Sequence, residues 1–247
     1  MKKYIIGFIC LFIILLFTLC HKKDDKPATT SANSNTNNNP NTPCYGFLTV
    51  SNYTTEAFGQ SYSSAVSRAF FSSQASSYMN YSASVKVGDV SLNNNSLTYD
   101  SLYYGYSSYL DTIPVSEAWS VNGANGIPSF TYANSEVFPS CDAVTLPDTI
   151  KKSAGFSVNI SNVENITSGT FIVYDGSGSL TGSFTTSLHS GNNSISITPA
   201  NLGNLTTNLS NAMLIVELEN ATVVSFSGKS FKFIHEAQKG RIMIIVP

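Results

Sequence analysis

The chain has 247 residues, with 13 Lys and Arg against 15 Asp and Glu, and so offers no basic field for nucleic acid. Only 11% of residues are charged, while Ser, Thr, Asn, Tyr and Gly abound. That balance is poor for helices, excludes a predominantly helical body and is typical of exported β proteins.

The chain opens Met1-Lys2-Lys3, and Tyr4 to Leu19 then carries no charge. This is a basic n-region followed by an apolar h-region, with Cys10 inside it. At about sixteen residues the run falls short of the roughly twenty that a membrane span requires. A removed signal over residues 1–19 is predicted, with an uncleaved signal anchor as the alternative. Either places the body outside the cytoplasm. Loss of Lys2 and Lys3 with the signal leaves 11 basic against 15 acidic residues.

Leu16-Phe17-Thr18-Leu19-Cys20, where the apolar run stops, resembles a lipobox. The resemblance implies that the Cys20 thiol is acylated, that Cys20 becomes the first mature residue, and that the partner so engaged is a membrane. Lys22-Lys23-Asp24-Asp25 resembles the lipoprotein export signal of Bacteroidota. It implies an outer-membrane lipoprotein facing the cell exterior, the alternative being one that faces the periplasm.

Residues 20–43 are read as the acylated cysteine and its tether. Lys26 to Pro43 contains no aromatic or large aliphatic side chain, so it buries too little surface to offset the entropy of ordering. The folded body is therefore predicted to start near Cys44, as an all-β chain of two antiparallel β-sandwich domains. These are residues 44–146, rich in Ser and Tyr, and residues 147–247, with a boundary near Leu146-Pro147-Asp148.

In the first part, Ser63 to Gln74 fits helix or strand. Ala83 to Leu92 reads as a hairpin about Gly88-Asp89, and Ala118 to Val121 and Ile127 to Tyr132 read as strands. In the second part Phe156, Val158 and Ile160 alternate, as do Phe171 and Val173, then Ile195 and Ile197. Apolar stretches follow at Ala212 to Val216, at Val223, Phe226, Phe231 and Phe233, and at Ile242 to Val246. Asp175-Gly176-Ser177-Gly178, Ser190-Gly191-Asn192-Asn193 and Ser227-Gly228-Lys229 are turn sequences. Thr198-Pro199-Ala200-Asn201-Leu202 carries a capping threonine and a proline at the first helical position, so it predicts one helical turn between sheets. Seven or so short strands in about a hundred residues resemble an immunoglobulin-like or fibronectin-type module.

Cys44 and Cys141 are the only cysteines beyond the signal and the anchor, and they are a candidate disulfide in an oxidising compartment, two free thiols being the other reading. No metal or cofactor is indicated. His189 and His235 have no partner motif, and nucleophile elbows, paired metal histidines and phosphate loops are absent from the sequence. Glu217 and Glu219 alternate on one strand and share a face, with Val216 and Leu218 supplying the buried side. Tyr99, Tyr103, Tyr104, Tyr106 and Tyr109 fall in a Ser- and Gly-containing stretch that resembles a binding paratope, suited to a glycan or protein ligand, or else are ordinary strand residues. Asp100-Ser101-Leu102, Asp111-Thr112-Ile113 and Asp148-Thr149-Ile150 resemble the O-glycosylation motif of Bacteroidota, which makes Ser101, Thr112 and Thr149 the candidate acceptors.

The sequence thus predicts a non-enzymatic, surface-displayed lipoprotein engaged in binding or adhesion. A structural envelope component is the alternative, followed by a glycan-active enzyme.

Overall fold

The computed structural model describes residues 39, 41–57, 59–142, 144, 146–176 and 183–247. The fold is all-β, as the composition predicts. Its strands are β1 (Cys44–Ala57), β2 (Gln60–Ser76), β3 (Val90–Leu92), β4 (Asn95–Ser96), β5 (Thr98–Asp100), β6 (Gly105–Leu110), β7 (Glu117–Val121), β8 (Phe130–Asn134), β9 (Thr149–Lys151), β10 (Phe156–Val163), β11 (Ser168–Tyr174), β12 (Ser183–Ser187), β13 (Gly191–Ile197), β14 (Asn208–Phe226) and β15 (Lys229–Val246). A single helical turn, α1 (Pro199–Leu202), stands where the capping sequence places it. Thr198 Oγ1 accepts from Asn201 N, Asn201 Oδ1 accepts from Thr198 N, and Leu202 is fully buried.

Nine strands form one sheet, ordered β12-β11-β14-β15-β1-β2-β6-β5, with β9 continuing the edge of β15 beyond β1. The β1–β15 pairing is parallel and runs from Gly46 opposite Phe231 to Glu56 opposite Arg241. The sheet therefore crosses the boundary expected near Leu146, joining the first strand of the body to the last. A four-stranded sheet, β4-β3-β7-β8, and a two-stranded sheet, β10-β13, complete the body.

Period-two alternation shows how one sheet supports two cores. On β14, Ala212, Leu214, Val216 and Leu218 enter a core shared with β10, β11 and β13, whereas Val224 and Phe226 on the same face enter a core shared with β3, β7 and β8. On β15, Phe231 and Phe233 belong to the second core and Met243 and Ile245 to the first. The positions between them on that face are His235, Ala237, Lys239 and Arg241, too polar to continue an apolar layer. Val137, Cys141, Leu146 and Asp148 meet the sheet at this seam. Lys239 Nζ donates to Cys141 O at 2.8 Å, Arg241 binds Leu146 O and, at 2.8 Å, Asp148 Oδ1, and Asn220 Nδ2 donates to Val137 O at 2.8 Å. The strands assigned to residues 147–247 divide five to the large sheet and two to the facing layer.

Phe130 lies parallel to Phe226 in the second core, centroids 4.3 Å apart, and tilts against Phe231 at 4.7 Å. Gly46 makes room for these rings: a Cβ there would fall 2.8 Å from Phe231 Cδ1 and 2.9 Å from Phe71 Cδ1.

Two local expectations resolve differently. Ser63–Gln74 is strand, inside β2. Ala83–Leu92 is not a hairpin: residues 81–83 form a 3-10 turn, Val85 N donates to Phe71 O, and β3 pairs with β4 and β7. The Gly88-Asp89 pair is fastened to Asn122 instead of turning the chain, with Asn122 N donating to Asp89 O at 2.9 Å and Asn122 Nδ2 to Asp89 Oδ2 at 3.1 Å.

Candidate functional site

The face of the nine-stranded sheet opposite the two cores carries an array of polar and aromatic side chains next to a small buried apolar cluster of Phe47, Phe70, Val223 and Ile234. On β2 the alternation presents Tyr62, Val66, Arg68 and Phe70, on β1 Ser51 and Tyr53, on β15 Lys232 and Glu236, on β14 Glu217 and Glu219, and on β6 Tyr109. Glu217 and Glu219 share this face, while Val216 and Leu218 are buried on the other. Cross-strand register adds a third carboxylate, Glu236, directly opposite Glu219.

Glu236 Oε2 accepts from Ser51 Oγ at 2.8 Å and lies 3.5 Å from Tyr53 Oη. Arg68 Nη1 donates to Tyr53 Oη at 2.9 Å, its guanidinium 5.6 Å from the Tyr53 ring centroid. Glu219 Oε2 accepts from Ser168 Oγ at 2.9 Å and stands 3.9 Å from Lys232 Nζ. Burial, followed by the neighbouring charges of Glu236 and Glu219, raises the Glu217 carboxyl above its ordinary range. Burial also raises Glu236, against the opposing hydrogen bond from Ser51 and the charge of Arg68. Burial, then the Glu236 charge, raises the Tyr53 phenol. On the same face Tyr62 is 55% exposed and Tyr109 46% exposed. Carboxylate acceptors on one sheet face with tyrosine rings suit ligands that are rich in hydroxyls.

The five tyrosines of the paratope-like stretch are not brought together. Tyr106 is buried, its hydroxyl donating to Val87 O at 2.6 Å, and burial raises its phenol to about 12. Tyr99 packs edge-on against it at 5.0 Å. Tyr103 and Tyr104 are exposed in the β5–β6 turn, whereas Tyr109 joins the array on β6.

His235 has a partner that its sequence context conceals. Its Nε2 lies 2.7 Å from Glu117 Oε1, with the two side chains 3% and 2% exposed. Asn134 Nδ2 is 3.0 Å from the same nitrogen, Trp119 Nε1 donates to Glu117 Oε2 at 3.1 Å, and Phe138 stacks parallel on the imidazole at 4.2 Å. These groups come from β7, β8, β15 and the loop after β8, and so tie the four-stranded sheet to the large one. His189 is an exposed loop residue whose backbone N–H donates to Asn193 Oδ1 at 2.9 Å.

The candidate disulfide is corrected: Cys44 and Cys141 are both free thiols. Cys44 is buried with Phe47, Phe70 and Ile234 on the array side of the sheet, whereas Cys141 packs against the first core on the opposite side. Burial pushes the Cys44 thiol up to about 11. Cys141 also lines a hollow of about 170 Å³ at the seam, with Asn52, Leu218 and Lys239. A second hollow of about 270 Å³ lies at Glu56, Gln60 and Arg241. Both fall below the size at which pockets enclose ordinary small ligands. Among the described residues no three His, Cys, Asp or Glu side chains are grouped to hold a metal.

Ser101, Thr112 and Thr149 are exposed, on the β5–β6 turn, the bend after β6 and β9. Cys20, Lys22, Lys23, Asp24 and Asp25 lie outside the described residues, and among those described no helix is long and apolar enough to cross a membrane. No protein-family model and no curated protein matches the chain.

Proposed function

We propose that this protein is a lipoprotein of the outer membrane, acylated at Cys20 and facing the cell exterior, whose body is a non-enzymatic binding module for glycans. The observation that carries the ligand class is the sheet face that holds both the half-exposed Tyr62 and Tyr109, on β2 and β6, and the Glu217, Glu219 and Glu236 carboxylates, on β14 and β15. The tyrosine faces stack on sugar rings, and the carboxylates accept from sugar hydroxyls. The lipobox-like segment at Cys20 and the charged run Lys22-Lys23-Asp24-Asp25 support the address. Ser101, Thr112 and Thr149 are its candidate glycosylated residues.

Two measurements test this reading. Intact-mass spectrometry of membrane-extracted protein, with protease shaving of whole cells, is expected to find a chain starting at acylated Cys20 and cleavable from outside, with hexose increments where glycans are attached. A mass that retains Met1, or complete protection from protease, overturns the address and makes a periplasm-facing protein the working description. Binding to a panel of surface polysaccharides is expected to fall at least tenfold in Tyr62→Ala/Tyr109→Ala, about 1.4 kcal/mol. No polysaccharide binding by the wild type, together with self-association, favours the structural envelope component. Hydrolysis of a bound polysaccharide refutes the non-enzymatic assignment.

A further inference from the structure

One end of the body is marked by the point at which the tether joins it. β1 begins there at Cys44, opposite Ser76 at the end of β2. The β14–β15 turn lies at the same end, with Lys229 Nζ 4.1 Å from the Tyr45 ring centroid.

Two loops expose aromatic and aliphatic side chains at this end. After β2, Tyr78 is 69% exposed with Met79 beside it, and Tyr81 sets its ring edge-on to Phe70 at 5.3 Å. The β5–β6 turn presents Leu102, 79% exposed, and Tyr103, 61% exposed. That turn opens into β6 where Tyr106 stands opposite Ala69 of β2, so it lies at the level of Phe70 and Phe71, as Cys44 nearly does. The bond from Val85 N to Phe71 O brings Lys86 to the same end. The two nearest carboxylates are engaged, Asp100 by Leu102 N at 2.7 Å and Asp89 by Asn122.

Scattered exposed apolar side chains need no explanation, but a group of them at the root of a lipid tether does. Tyrosine, leucine and methionine with lysines nearby is the composition of side chains that settle at a bilayer interface, where rings bury their bodies, hydroxyls stay wet and amines reach lipid phosphates. We propose that the Cys44 end of the body docks on the headgroup layer of the bilayer through Tyr78, Met79, Leu102 and Tyr103, flanked by Lys86 and Lys229. The proposal rests on anchoring through Cys20. A tether of residues 20–43 holds the body at an effective concentration in the millimolar range, so a contact too weak to bind from solution suffices.

Docking there stands the long strands upright. At about 3.3 Å per residue, the thirteen steps of β1 lift the Ala57 end about 40 Å from the lipid, and Tyr62, opposite Thr55, about 35 Å.

Hydroxyl-radical footprinting tests this on the full-length protein extracted from membranes and reconstituted in phosphatidylethanolamine–phosphatidylglycerol vesicles. The reference is the mature chain from residue 20 carrying Cys20→Ser, unacylated and free in buffer. Labelling of Tyr78, Met79 and Tyr103 is expected to slow several-fold in vesicles while Tyr62 labels at an unchanged rate. Equal labelling at both ends, or equal protection of Tyr62, overturns the docking. Intact mass separates the two readings: an acylated Cys20 without protection leaves the anchor standing and removes the docking, whereas an unacylated Cys20 removes the anchor and the docking that rests on it.

Discussion

Replacing Glu117 by Leu isolates the energetics of the buried group that joins the two large layers. Glu117 and His235 meet at 2.7 Å with almost no solvent contact, and the other Glu117 oxygen holds Trp119 Nε1 at 3.1 Å. Breaking a buried pair by removing one partner costs about 3–5 kcal/mol. Leaving the indole N–H unpaired adds about 1–3 kcal/mol, and burying the leucine methyls returns about 1.5–3 kcal/mol. The net loss is therefore about 1–6 kcal/mol, centred near 4. His235→Leu is also expected to destabilise, because it strands the Glu117 carboxylate. Glu117→Leu/His235→Leu removes both partners and is expected to lose less than the sum of the single changes, a favourable coupling of at least about 1 kcal/mol. Urea denaturation provides the measurement, followed by far-UV circular dichroism and by the fluorescence of Trp119, the only tryptophan. A Glu117→Leu midpoint within about 0.5 kcal/mol of wild type, or strict additivity of the two changes, would refute the assignment of the pair as a structural tie.

The remaining predictions concern the sheet, the array and the thiols. Because the Glu217 carboxyl is raised above the ordinary value of 4.5, its ionised form opposes folding: the stability is fully present below that value and lost as pH rises through the raised one. Glu217→Gln is thus expected to melt higher than wild type at neutral pH and level with it below 4.5, and an unchanged melting temperature at neutral pH refutes the argument. Phe171→Ala, in the first core, is expected to cost about 3–5 kcal/mol. Since β14 and β15 run through both cores, it should shift the Trp119 transition, in the second core, together with the dichroism transition, whereas two separate transitions would mean that the shared strands do not couple the cores. Gly46→Ala forces a methyl between Phe71 and Phe231 and is expected to cost about 1–3 kcal/mol in the same melts. In native protein a maleimide should modify Cys141 and spare Cys44, and both thiols should react after denaturation without reductant; a Cys44–Cys141 crosslinked peptide would contradict the free thiols.

The strands that sequence reading finds most readily are those with one wet and one apolar side. Phe156-Ser157-Val158-Asn159-Ile160 and Ile195-Ser196-Ile197 alternate because β10 and β13 turn one face to a core and the other to solvent. The capped turn Thr198–Leu202 is legible because its hydrogen bonds are local. What sequence reading misses depends on distant pairing. β1 carries Thr49 and Ser51, which are buried and look like surface residues when read alone. The Glu117–His235 contact joins residues that no local pattern relates. Glu236 was within reach, because counting outward equally from Ser227-Gly228 pairs it with Glu219. The paratope-like tyrosines mislead because two of the five serve packing, which composition does not distinguish from display.

The parallel pairing of β1 with β15 also sets the order in which the body is completed. Ser51 and its carboxylate partner Glu236 are 185 residues apart. At about 5–20 residues per second, roughly 10–40 s of synthesis separate the two. Until β15 is present, β1 lacks the partner on its second flank, and the loop-closure entropy of joining β1 to β15 is met only when β15 arrives. The central seam is therefore a clock as well as a joint: a truncation that removes β15 takes away the middle of the nine-stranded sheet, and the sheet stays open beside β1 until β15 has been made.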